Sequence, residues 1–100
     1  MSKIKRYKAS FYDSHEGWYH YEEHDINCDS SGRFYATIND NDMSIALNII
    51  KGCPEFSKSG NKIFAYQLRS IEKILDDILK VKKTLIKKEE FVIEYAFAGE

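Results

Sequence analysis

Cysteine, proline and arginine are all scarce in this 100-residue chain: two cysteines, one proline, and three arginines against twelve lysines. Each shortage excludes something. Two thiols, Cys28 and Cys53, can form at most one bridge, so no disulfide framework supports the fold. After Lys3 to Lys8 the chain passes directly to Ser10 and Asp13, nothing there resembles a secretory signal, and reduced thiols in a cytoplasmic protein are expected. The longest uncharged stretch of the first half, Met43 to Ile50, is far too short to cross a bilayer, so no membrane association is expected. Internal repeats, low-complexity tracts and linkers are absent. So are a Gly-rich phosphate loop, a nucleophile elbow and a metalloprotease helix motif.

What remains describes one α+β domain spanning residues 1–100, long enough to bury about two thirds of its unfolded surface around a single core. The formal charge is only −1, but it is unevenly spread. Lys3, Lys5, Arg6 and Lys8 make the opening segment basic. Residues 13 to 42 carry Asp13, Glu16, Glu22, Glu23, Asp25, Asp29, Asp40 and Asp42 against Arg33 alone, and basic residues dominate again from Lys51 to Glu90. Such a field favours a basic partner at the acidic segment.

Alternation of Tyr7, Ala9 and Phe11 with polar residues predicts a strand over residues 3 to 12. A turn at Asp13 to Gly17 leads to a second strand over Trp18 to Asn27. Asp29 to Gly32 forms another turn, and Phe34, Ala36 and Ile38 alternate along a third strand. Asp40 to Asp42 supplies N-cap oxygens for a short helix that ends at Gly52, with Pro54 beyond it. Residues 53 to 60 read as a loop. Phe64, Leu68, Ile71, Leu75 and Ile78 then predict one long helix over about residues 62 to 84. A short strand over Ile63 to Gln67, with the helix starting at Ser70, is the rival reading. Phe91 to Ala98 reads as a final strand. The expected architecture is a two-layer α+β sandwich of order βββααβ, with a four-stranded, mainly antiparallel sheet and two helices.

Residues 13 to 29 concentrate all three histidines with Cys28, Trp18, Tyr19, Tyr21 and a group of carboxylates. Zinc accepts such ligands. On an extended strand, however, His20 and His24 lie about 13 Å apart and cannot share an ion. Only a neighbouring pair on the His20, Glu22, His24 face, recruiting a ligand from elsewhere, escapes that objection. Cys28 beside His24 and Asp25 has the residue types of a nucleophile and base, but adjacency in sequence is not that geometry. No metal, no cofactor and no enzymatic activity are therefore expected. Lys80, Lys82, Lys83, Lys87 and Lys88 form a cluster that suits nucleic acid, although lysines at a helix C-terminus are explained equally well by the macrodipole, and the overall charge does not favour phosphate.

A protein-binding reading fits better. Glu16, Trp18, Tyr19, Tyr21, Glu22, Glu23 and Asp25 combine aromatic anchors with carboxylates that steer a basic partner, such as a nucleic-acid-handling protein. The final strand is apolar on both faces, interrupted by Glu94. Placed at a sheet edge beside the first strand, it offers Val92, Glu94, Ala96 and Ala98 for strand addition, so a homodimer or a covering partner is expected. Abundant Lys, Ile, Asn and Tyr suggest AT-rich mobile DNA. In size, composition and acidic-aromatic character the chain resembles phage or mobile-element inhibitors, such as anti-CRISPR and anti-restriction proteins, and toxin-immunity proteins. That resemblance implies a small non-enzymatic inhibitor that occludes a basic surface of its partner. The alternative is a nucleic-acid binder using the lysine cluster.

Overall fold

Aromatic alternation in the first thirty residues yields a long antiparallel hairpin, β1 (Ser2–Asp13) with β2 (Trp18–Cys28). Gly17, at φ 78°, turns the chain between them. The computed structural model describes residues 2–14 and 16–98, and the side chains of residues 4–14 and 16–85. β3 (Phe34–Thr37) pairs with the last three residues of β2 only, Ile26 to Cys28. The chain continues through α1 (Asp40–Ile50), β4 (Phe56–Ser59), β5 (Lys62–Ala65) and α2 (Leu68–Ala98). All pairings are antiparallel, in the order β1-β2-β3-β5-β4. The class is α+β as expected, but the order is βββαββα and the sheet has five strands rather than four.

The turn from β2 to β3 is built on one carboxylate. Asp29 accepts the Ser31 hydroxyl at 2.7 Å, the Ser31 and Arg33 backbone N–H groups at 2.9 Å each and Arg33 Nε at 3.2 Å, while Gly32 takes a φ of 85°. These donors, the Ser31 hydroxyl foremost, hold the Asp29 pKa below its ordinary value against partial desolvation. Stability from this turn is therefore present above the ordinary carboxylate pKa and lost as pH falls through the lowered folded-state value. Urea midpoints measured between about pH 5 and about pH 2 are expected to fall less steeply for Asp29→Ala than for the natural chain, from a lower starting point.

Ile26, Ala36, Ile38, Met43, Ala46, Ile50, Ile63, Ala65, Ile71, Ile74, Leu75 and Ile78 form the core between the sheet and the two helices. Spacings of three and four along α2 put Ile71, Ile74, Leu75 and Ile78 on one stripe. α1 begins one residue earlier than its acidic run suggested. Asn39 is the N-cap, its Oδ1 accepting the Asp42 N–H at 2.8 Å, and Asp42 itself is buried.

Two expected elements are replaced. The supposed loop before Gly60 contains β4, which turns into β5 through Gly60 and Asn61. Gly60 has a φ of 60°, the glycine-first pattern of a II′ hairpin. Residues 62 to 67 are therefore not helix: a strand lies there as in the rival reading, but it spans Lys62–Ala65 and not Ile63 to Gln67, and α2 starts at Leu68 and not at Ser70. The strand expected over Phe91 to Ala98 is instead the end of α2. No glycine or proline interrupts residues 61 to 98, and extending an existing helix avoids a second nucleation penalty. The strand-addition edge assigned to Val92, Glu94, Ala96 and Ala98 therefore does not exist, and their side chains lie outside the described residues. β1 and β4 are the sheet edges. Charge along β1 (Lys3, Lys5, Arg6 and Lys8) is the common protection of such an edge.

Candidate functional site

From Trp18 to Asp25, β2 pairs with β1 alone, so this part of the hairpin is a two-stranded ribbon extending past the sheet. Alternation gives it two unlike faces. The inner face, towards the helices, carries Tyr7, Ala9 and Phe11 from β1 and His20, Glu22 and His24 from β2. α2 runs alongside it. Lys5 pairs with Glu72, the Tyr7 hydroxyl donates to Asp76 at 2.5 Å, and Lys83 Nζ lies 5.8 Å from the Phe11 ring centre. From residue 72 to 83 a helix rises about 16 Å. From residue 5 to 11 a strand rises about 20 Å, so the two elements keep step. Burial raises the Tyr7 pKa, and its bond to Asp76 raises it further, so the phenol stays protonated and donating.

The outer face carries Arg6, Lys8, Ser10 and Tyr12 opposite Tyr19, Tyr21, Glu23 and Asp25. Tyr12, Tyr19 and Tyr21 are 55%, 65% and 59% exposed. Tyr12 and Tyr19 meet edge to face, their ring centres 5.2 Å apart, and the Tyr21 hydroxyl donates to Glu23 at 3.0 Å. Arg6 spans both carboxylates, with Nη1 3.0 Å from Glu23 and Nε 2.9 Å from Asp25. Those bonds, to Asp25 first, raise the guanidinium pKa, and the group is a fixed cation between two anions.

At the tip, Asp13 is nearly fully buried and accepts the Glu16 N–H at 3.1 Å. His20 Nε2 lies 3.0 Å from the same carboxylate, while its ring stacks on Phe11 and Trp18 with centres 4.8 Å and 4.2 Å away. Deeper, where β2 approaches α1 and α2, Glu22, His24 and Asp42 gather around Lys82. The ammonium pairs with Glu22 and lies 3.3 Å from Asp42, and His24 Nε2 is 3.7 Å from Glu22. Burial raises the Asp42 pKa, opposed by His24, and burial lowers that of Lys82.

No protein-family model, curated protein or solved structure matches this chain.

The residues singled out for partner binding thus divide. Tyr19, Tyr21, Glu23 and Asp25 share the outer face, Glu16 and Trp18 sit at the exposed tip, and Glu22 turns inward to Lys82. Tyr12 and Arg6 complete the outer face without having been recognised in the sequence. They mirror Tyr19 and Asp25 across the turn, so the register of the hairpin is the signal that finds them. His24 and Asp25 point to opposite faces, and Cys28 Sγ donates to the Asp29 carbonyl at 3.6 Å, so these three do not form a nucleophile, base and acid. The lysines do not form one patch either. Lys82 is drawn inward, Lys83 lies over Phe11, Lys80 is exposed, and the side chains of Lys87 and Lys88 lie outside the described residues. Among the described residues, no helix is long and apolar enough to cross a membrane.

Proposed function

We propose that the chain is a non-enzymatic binding module that docks on a protein partner through the outer face of the ribbon and works by occluding a basic surface there. One observation carries this reading: Tyr12, Tyr19 and Tyr21 stand exposed and adjacent on a ribbon that neither a third strand nor a helix covers on that side, among the described residues. Tyrosine suits such work because its apolar ring supplies contact area with few rotatable bonds and its hydroxyl bonds at the rim. Arg6 fixes Glu23 and Asp25 in place, which lowers the entropy lost on docking. It also neutralises part of their charge, so the carboxylates select and orient basic groups of the partner while the rings supply most of the affinity. Size, composition and this tyrosine-rich surface, on which Glu23 and Asp25 are balanced by Arg6 and Lys8, together favour an inhibitor of the anti-CRISPR, anti-restriction or toxin-immunity kind.

Affinity capture from the native host with the natural chain and with a Tyr12→Ser, Tyr19→Ser, Tyr21→Ser variant tests the proposal. Three lost anchors at about 1–2 kcal/mol each predict at least a hundredfold weaker retention of the specific partner. The thermal midpoint is expected to move little, because all three rings are largely in solvent. Equal retention by the folded variant sinks the reading. Changing Glu23 and Asp25 to lysine tests the charged rim separately. Glu22 is left out of that test because its loss disturbs the interior.

A further inference from the structure

The inner polar cluster has a composition that salt-bridging alone does not require. Glu22 and His24 are next-but-one neighbours on the inner face of β2, and Asp42 enters from the first turn of α1. One donor atom from each lies within 4.8 Å of the other two. Divalent first-row metals bond nitrogen and oxygen at about 2.0–2.2 Å, so donors sharing one ion lie roughly 3–4.4 Å apart. The three side chains therefore need only small rotations to converge.

The imidazole is oriented from outside the cluster. His24 Nδ1 is 3.3 Å from the Thr37 carbonyl oxygen, which can only accept. Nδ1 therefore carries the proton, and in the neutral ring Nε2 presents its lone pair towards Glu22 and Asp42. Metal-bound histidines commonly have this arrangement, with one nitrogen donating to a carbonyl and the other ligating. Charge points the same way. Two carboxylates, one of them almost wholly buried, face a single ammonium, so one negative charge is left without a permanent counter-charge. Lys82 is a flexible side chain 27% exposed, and it can withdraw to solvent when a stronger cation arrives.

We propose that Glu22, His24 and Asp42 form a binding site for a divalent first-row transition-metal ion, with Zn2+ as the type case, which the ion enters by displacing the Lys82 ammonium. An imidazole with two carboxylates suits such ions better than Mg2+ or Ca2+, which prefer oxygen alone. Three protein ligands leave coordination positions for water, and the ion fastens β2 to α1. This site is on the opposite side of the ribbon from the tyrosines and does not depend on the docking reading.

Titration calorimetry of chelator-treated protein with Zn2+ provides the test, with nitrogen NMR of the three imidazoles as a second readout. One ion per chain is expected, with micromolar or tighter affinity, and with the His24 Nε2 resonance moving while that of His20 stays. His24→Ala and Asp42→Asn, which alter the ligands themselves, are each expected to weaken binding by more than the roughly 10- to 100-fold that loss of an outer-shell partner costs. Lys82→Met is expected to tighten it, because the competing cation is gone. Absence of stoichiometric binding, a shift at His20 in place of His24, or full affinity in the His24→Ala chain overturns the site. The NMR readout on the natural chain decides the matter even if a variant fails to fold.

Discussion

Ile63→Ala is expected to remove about 3–4 kcal/mol of stability, a large part of the ~5–15 kcal/mol that holds a domain of this size. Ile63 is fully buried on β5, between β3 and β4, and packs into the core shared by the sheet and both helices. Truncation loses the transfer energy of three carbons and leaves a cavity that a strand paired on both sides is poorly able to collapse. In urea the midpoint falls with an unchanged slope. Were residues 62 to 67 the first turns of a helix, the same change would be milder, since alanine is the better helix former and a helix end yields more readily. A loss below about 1 kcal/mol therefore counts against the five-stranded sheet.

Lys82→Met is expected to cost about 2–3 kcal/mol at neutral pH, less than the ~3–5 kcal/mol of a fully buried pair because the ammonium is partly in solvent. Methionine preserves the stem of the side chain, so the loss reports Glu22 and Asp42 left without their cation. Adding Glu22→Gln to the same chain is expected to restore part of the stability, since Asp42 still lacks its cation. A double-mutant cycle measures the coupling directly, and additive losses from the two changes would show that Glu22 and Lys82 do not interact.

Lys82 also shows how much of the site the sequence carried. In sequence it groups with Lys80, Lys83, Lys87 and Lys88 as a basic surface, yet it falls four residues after Ile78 and seven after Leu75, on the buried stripe of α2. A lysine on an apolar stripe needs acidic partners inside, and in the sequence these read otherwise: Glu22 as part of an outward-facing acidic strand and Asp42 as part of a helix-capping run. Strands β1, β2 and β3 and helix α1 announce themselves because each alternates or repeats with the right period. β5 does not: Ile63, Phe64 and Ala65 are buried in succession, covered on both faces, and Phe64 happens to extend the helical spacing of Leu68 and Ile71. β4 offers one apolar residue, Phe56, followed by three exposed ones. Gly60-Asn61 was its only marker, a two-residue hairpin signal that outranked the accidental periodicity. At the other end, Phe91, Ile93, Tyr95 and Phe97 alternate as a strand does, and the absence of any helix breaker from Asn61 to Ala98 was the stronger fact.

A ribbon projecting from its sheet is by itself a lever on a soft hinge, since two strands alone are barely stable in water. Here α2 acts as its splint. Fastened near the base at Lys5–Glu72 and Tyr7–Asp76 and further out at Glu22–Lys82 and Phe11–Lys83, the helix fixes the angle at which the tyrosine face is presented. The aim of the ribbon is therefore decided when the chain folds, before any partner arrives. If the tyrosine face docks a partner as proposed, residues such as Glu72 and Asp76, which lie on the far side from the tyrosines, would govern affinity through direction alone.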